Sequence, residues 1–203
     1  MKIALIGASG NAGSRILTEL AARGHAVTAI ARDPARIAAA PGVTAVAGDL
    51  FDRPALTALL AGHDAVISSV HFLASDAEAL IGAVKDAGVP RYLVVGGAGS
   101  LNAAPGLRLL DAPGFPEIYR AEATAGAVFL DRLRQEPVLD WTYLSPAAEF
   151  VPGTRTGVFR LAGDDLLTDA AGRSWISFED FAIALADEIE TPRHSRRRFT
   201  VGY

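Results

Sequence analysis

The stretch that decides the fold is MKIALIGASGNAGSRIL, residues 1–17. KIALIG is an apolar run of strand length, and directly behind it Gly7, Gly10 and Gly13 stand at GxxGxxG spacing. AGSRILTELAARG then takes up a helical period, with Ile16, Leu17, Leu20 and Ala21 on one face and Gly24 as the stop. Strand, glycine turn and helix in that order make the first half of a dinucleotide-binding unit. One glycine forms the tight turn, one lets a pyrophosphate come against the backbone, and one lets the helix pack close to the strand. The helix N-terminus adds free N–H groups and a partial positive charge. Gly7, Ser9, Gly10, Asn11, Ala12 and Gly13 are therefore the first candidate cofactor-binding residues. A Walker-type phosphate loop is excluded, because no Lys-Ser/Thr pair follows and the only lysines are Lys2 and Lys85.

Outward from this stretch the alternation continues. HAVTAIA (25–31), VTAVAGDL (43–50), DAVISSV (64–70) and RYLVVGGAG (91–99) read as strands. Between them DPARIAAA (33–40), RPALTALLAG (53–62) and SDAEALIGAVKDAGV (75–89) read as helices, the first begun by Asp33 and Pro34. Apolar, β-branched strands alternating with helices predict an α/β fold, a doubly wound parallel sheet of Rossmann type. Past residue 100 the pattern loosens. Pro105, Gly106, Pro113, Gly114 and Pro116 predict a loop without regular structure for about 15 residues, of the kind that serves as a lid or binding loop. A helix from Ala121 to Arg134 and the strand LDWTYLSP (139–146) follow. GVFRLAGDDLLTDAAGRSWIS (157–177) then alternates around DAAGR and predicts a small hairpin set apart from the sheet. Ser177 and Asp180 form a capping-box-like pair ahead of the last helix, and RFTVGY (198–203) is a final strand. The expectation is one domain over residues 1–203, with 146–190 contributing a small hairpin and helix lobe on the substrate side.

Composition narrows the function classes. The chain has 203 residues and no cysteine, so disulfides, thiolate metal sites and a cysteine nucleophile are excluded. Four scattered histidines offer no ligand spacing, so no metal is expected. A net charge of −4 offers no field for nucleic acid, and the one basic cluster, Arg196–Arg198, reads as a solvated edge. The apolar run before Gly7 is far short of a signal-peptide core or a membrane span of about 20 residues. The expected location is cytoplasmic, without a membrane partner, as a monomer or homodimer.

The cofactor's variety should be written at the end of the second strand, where an acid would hold ribose hydroxyls and a base a 2′-phosphate. Arg32 comes first there and Asp33 is placed to cap the next helix, which favours NADPH over NADH, with Arg36 as a second cation. Asp49, followed by Leu50, is placed to accept from the adenine amino group. Ser68 and Ser69 after the fourth strand, Gly96 and Gly97 after the fifth, and Pro146-Ala147 complete the candidate cofactor site.

GASGNAGSRI (7–16), GDLFD (48–52), GHDAVIS (62–68), VVGGAGSL (94–101), SPAAEF (145–150), RTGVFRLAGD (155–164) and ISFEDFAIALADEIE (176–190) together resemble the atypical short-chain dehydrogenases of the NAD(P)-binding NmrA-like class. The resemblance is greatest to small bacterial NADH-flavin reductases, with similarity to mammalian biliverdin reductase B. It implies a nicotinamide cofactor and a flat aromatic acceptor such as FMN, FAD or riboflavin. Standard short-chain dehydrogenases use a Tyr with a Lys four residues later, the lysine lowering the tyrosine's pKa. Here Tyr119 is followed at that distance by Ala123, so alcohol–ketone chemistry is disfavoured. Flavin reduction does not need that acid, since the acceptor ring spreads the charge it receives. Ser100, Tyr119 and His71 are the candidate catalytic residues, beside Ser69 and the Pro146-Ala147-Ala148 turn as pocket lining. Two other functions fit the same residues. One is a dinucleotide-binding redox sensor without turnover; the other is a pathway-specific reductase or isomerase in which Tyr119 or His71 moves a proton.

Overall fold

The computed structural model describes residues 1–203. In chain order its elements are β1 (Lys2–Ile6), α1 (Asn11–Ala22), β2 (Ala26–Ala31), β3 (Val43–Ala47), α2 (Arg53–Leu60), β4 (Ala65–Ser68), α3 (Ala77–Asp86), β5 (Arg91–Val95), β6 (Asn102–Ala104), β7 (Leu107–Arg108), α4 (Glu117–Arg134), β8 (Asp140–Pro146), β9 (Glu149–Val151), β10 (Arg160–Ala162), β11 (Trp175–Ser177), α5 (Phe178–Glu190) and β12 (Arg197–Gly202). Eight strands form one sheet in the order β10-β12-β8-β5-β4-β1-β2-β3. Every neighbouring pair is parallel except β10 with β12. The central strands are buried on both faces, which is why they read as continuous apolar runs. One face packs α1 and α5 around Ile16, Leu20, Phe181 and Leu185; the other packs α2, α3 and α4 around Leu60, Leu80, Ile81 and Leu130. From β1 the chain runs outward through β2 and β3, then returns to β4 on the other side of β1. That reversal opens a crevice beyond the carboxyl ends of β1 and β4. No helix is long and apolar enough to cross a membrane.

Four local expectations are corrected. DPARIAAA gives only a 3₁₀ turn, Pro34–Arg36. Asp33 caps it by accepting from Ala35 N at 3.1 Å, but Ile37 turns extended and buries its side chain, ending the coil. The Pro/Gly-rich segment after residue 100 is not devoid of regular structure: β6 and β7 form a small antiparallel hairpin across Pro105-Gly106. Proline fixes φ and Gly106 supplies φ +74°, so the two residues make a tight turn instead of an open loop. α4 starts at Glu117, four residues ahead of Ala121, which puts Tyr119 inside the helix. The expected hairpin over 157–177 does not form. β10 joins the main sheet against β12, and β11 pairs in parallel with β9, so two alternating segments that look like partners each pair with a more distant strand.

The basic cluster also differs from its reading as a solvated edge. Arg198 is buried, donating from Nε to Asp164 at 2.6 Å and from Nη1 to the Ser100 hydroxyl at 3.2 Å. At the last helix Ser177 does cap α5, accepting from Asp180 N at 3.0 Å. The Asp180 carboxylate does not reach back in a capping box. It accepts from Thr156 N (2.8 Å), Gly157 N (2.9 Å) and the Tyr203 hydroxyl (2.6 Å), tying the 154–157 segment and the last residue to α5.

Candidate functional site

The glycine turn crosses the crevice between β1 and β4. Gly7 has φ +83°, and a Cβ there would stand 2.1 Å from the Ser69 carbonyl oxygen. A Cβ at Gly13 would stand 2.1 Å from the Gly7 carbonyl oxygen. Two of the three glycines are thus required by the protein's own packing, the turn against β4 and the helix against the turn. Gly10 is different: it is exposed, and a Cβ would meet nothing nearer than the Gly7 carbonyl at 3.3 Å. Gly10 is also the N-cap of α1, with no side-chain cap and no acid in the first turn. The N–H groups of Asn11, Ala12 and Gly13 have no acceptor within the chain. Free donors, a bare backbone and no competing carboxylate suit a pyrophosphate group.

The neighbouring candidates divide. Arg32 and Arg36 are exposed just beyond β2, whose end is tied to the turn by Gly7 N donating to the Ile30 carbonyl at 2.9 Å. Asp49 is exposed and accepts from Phe51 N at 3.0 Å. The cap of α2 is Asp52, which accepts from Ala55 N, so Asp49 has no capping duty. Leu50 packs half-buried against the core on the α2 face. Ser9 is half-exposed and Asn11 exposed at the turn. Ser69 approaches through its backbone. Ser68 is corrected: its side chain is buried and its hydroxyl is bonded to the Tyr92 hydroxyl at 2.9 Å, inside the core and away from the crevice.

At the same end of the sheet, beyond β5 and β8, lies a cavity of about 500 Å³. Its floor is Gly96, Gly97, Ala98 and Gly99; Pro146, Ala147, Ala148, Glu149 and Phe150 form one wall, Phe72 with Tyr119, Glu122 and Ala123 of α4 the other, and Leu109–Pro116 runs across it. The glycines have separate reasons. A Cβ at Gly96 would stand 2.3 Å from the Tyr143 ring, and one at Gly99 would stand 2.7 Å from the Ala123 Cβ, whereas Gly97 has nothing nearer than the Phe72 ring at 3.7 Å. Tyr143 braces this floor, its hydroxyl accepting from Gly97 N at 3.0 Å and donating to the Gly126 carbonyl at 3.1 Å. Burial holds its phenol far above the ordinary tyrosine value, so it is a neutral strut.

Glu122 was not singled out in the sequence. Its carboxylate accepts from Phe72 N at 2.7 Å and Leu73 N at 3.1 Å, capping the short turn after β4, with His71 Nδ1 at 3.4 Å. One helical turn on, a Cβ at Gly126 would stand 2.9 Å from the Phe72 ring. Glu122 and Gly126, four apart on α4, thus seat the 71–74 turn as a cavity wall. The available signal was that spacing on a helix facing a loop, visible only once the loop's position is known.

The three catalytic candidates do not converge. Tyr119 stands on the rim, 62% exposed, and Ala123 four residues on is packed against Gly99. No lysine, arginine or histidine lines the cavity. His71 sits at the mouth with its side chain almost wholly in solvent. Ser100 is corrected as a cavity residue: it lies outside the lining, its hydroxyl taken by Arg198.

Comparison with known proteins gives the family. Residues 7–192 match the NAD(P)H-binding family. The Bacillus subtilis (strain 168) protein YwnB is 42% identical over 209 residues, covering 99% of this chain and 98% of that protein. A Bacteroides thetaiotaomicron structure provisionally described as an epimerase is 43% identical, with a TM-score of 0.95 over 100% of this chain and 96% of that one. A Streptococcus pneumoniae TIGR4 structure provisionally described as an NADH-flavin reductase is 39% identical, with a TM-score of 0.84 over 100% and 99%. With a match across nearly its whole length, the chain belongs to the NAD(P)H-binding family.

Proposed function

We propose that this protein is an NAD(P)H-dependent oxidoreductase that reduces a flavin or similar flat conjugated acceptor without a Tyr-Lys pair. The observation that carries the proposal is the cavity itself: a glycine-floored, mainly apolar space at the same end of the sheet as the dinucleotide turn. Its volume lies within the range of about 300–1,000 Å³ usual for small-molecule sites. The similarity to a structure provisionally described as an NADH-flavin reductase supports the same reading. When bound, a reduced nicotinamide supplies a hydride. The chain's own residues bind and orient: the free N–H groups at the start of α1 hold phosphate, and Arg32 meets a 2′-phosphate, which favours NADPH. Gly97 leaves an open floor for a ring, while Phe72 and Phe115 supply aromatic walls and Tyr119 an aromatic rim. Residues 146–150 form the opposite wall, the part of the 146–190 region that meets the acceptor. Ala123 stands where a lysine would pair with Tyr119, which favours an acceptor that needs no protein acid. The test is nicotinamide consumption by purified protein with NADPH, then with NADH, against riboflavin, FMN and simple quinones. Oxidation of either in the presence of an acceptor is expected. Consumption of neither refutes turnover and leaves a dinucleotide-binding sensor.

A further inference from the structure

We infer that the acceptor held in this cavity is uncharged or cationic, and that phosphorylated or carboxylated acceptors are disfavoured; the inference rests on the reductase reading above. The lining carries two carboxylates, Glu122 and Glu149, and no cationic side chain. The cations nearby are turned to other partners. Arg173 donates from Nε to Glu149 at 3.0 Å and lies over the Trp175 ring. Arg120 donates to Glu117 and to the Leu110 carbonyl, both at 2.7 Å, and stands against Phe115. Arg198 is buried between Asp164 and Ser100. Glu149 is therefore neutralised and Glu122 is not: apart from the solvent-exposed His71 at the mouth, only two backbone N–H groups face its carboxylate.

An anion entering this space loses water and meets a like charge with no cationic side chain to pair it, which is a costly arrangement for a desolvated charge. An uncharged ring with N–H groups, or a ring bearing delocalised positive charge, instead finds acceptor lone pairs on Glu122 and apolar surface on Phe72 and Phe115. The two ends of the crevice sort charge in opposite senses. The glycine turn offers unpaired N–H groups and has Arg32 beside it for phosphates; the acceptor end has no cationic side chain in its lining.

The experiment is fluorescence titration of lumiflavin, riboflavin and FMN into the protein saturated with NADP⁺, repeated at low and high salt and with Glu122→Gln. Riboflavin and lumiflavin are expected to bind about tenfold more tightly than FMN at low salt, the gap narrowing as salt screens the repulsion. In Glu122→Gln the gap is expected to fall to about twofold, since the amide removes the charge while its oxygen can still accept from Phe72 N, though not from Leu73 N as well. The salt series on the unmodified protein reads the same repulsion if the variant fails to fold. FMN binding as tightly as riboflavin, a gap that does not respond to salt, or no binding of any of the three overturns the inference. Nicotinamide oxidation followed in parallel samples made with NADPH in place of NADP⁺ separates the two readings. Selective binding without oxidation overturns the reductase function and leaves the charge selection standing; oxidation with no preference against FMN overturns only the charge selection.

Discussion

Replacing Gly10 and Gly13 separately by alanine should divide ligand approach from packing within one turn. Gly13→Ala puts a methyl 2.1 Å from the Gly7 carbonyl oxygen, so helix and turn must separate by about an ångström. Overpacking of this kind costs about 1–3 kcal/mol. For a chain of this size each kcal/mol lowers Tm by about 2–4 °C, so a fall of roughly 2–12 °C is expected. Gly10→Ala meets neither obstacle. Its backbone, at φ −76° and ψ 172°, is open to any residue, and the new methyl need shift only a few tenths of an ångström from the Gly7 carbonyl at 3.3 Å. The lower entropy of the unfolded alanine chain offsets that by about 0.4–1 kcal/mol, leaving Tm within about 3 °C of the parent. The methyl does occupy space at the mouth of the helix N-terminus. Loss of one charge-assisted bond to phosphate, about 1.5–3 kcal/mol, weakens NADPH roughly tenfold to hundredfold. Thermal melts beside calorimetric titration with NADPH read both quantities. A Gly10→Ala protein that binds NADPH as the parent does would refute the assignment of the turn's exposed glycine to a pyrophosphate.

Three further outcomes are expected. Arg32→Ala should weaken NADPH by about 1.5–3 kcal/mol and leave NADH unchanged, because only the former presents a charge to the guanidinium; equal changes in paired titrations would sink the 2′-phosphate assignment. Tyr119→Phe should keep kcat within about threefold, whereas loss of a working general acid costs about 10²–10⁴-fold, so steady-state rates distinguish a rim residue from a proton donor. Burial alone would raise the Asp180 pKa, but hydrogen bonds from Thr156, Tyr203 and Gly157 outweigh it and hold the carboxylate below its usual value. Its stabilising contribution is therefore complete above the unfolded value of about 3.9 and is lost as pH falls through the lower folded value. Urea midpoints measured from pH 7 to pH 3 should drop more steeply for the parent than for Asp180→Asn, and parallel curves would contradict this.

What the sequence determined by itself was the part of the protein governed by local periodicity and by residues adjacent along the chain. Strand, glycine turn and helix over residues 1–22 are contiguous, so sterics and period alone specify them, as they do the apolar strands β2, β4 and β5. Pairing between distant segments lies beyond that reach. The 157–177 segment has hairpin alternation, yet β10 and β11 each find a partner elsewhere, because register is set by which face the whole sheet buries. The site divides the same way. Gly10 and Arg32 are proposed from their place after a strand, and the structure leaves both exposed. Ser68 and Ser100, legible as crevice residues by position, are withdrawn by Tyr92 and Arg198, partners 24 and 98 residues away. Glu122 enters from the opposite direction, an ordinary helix residue until the fold sets the 71–74 turn against α4. A side chain's availability depends on what stands across from it, and only the tertiary structure decides that.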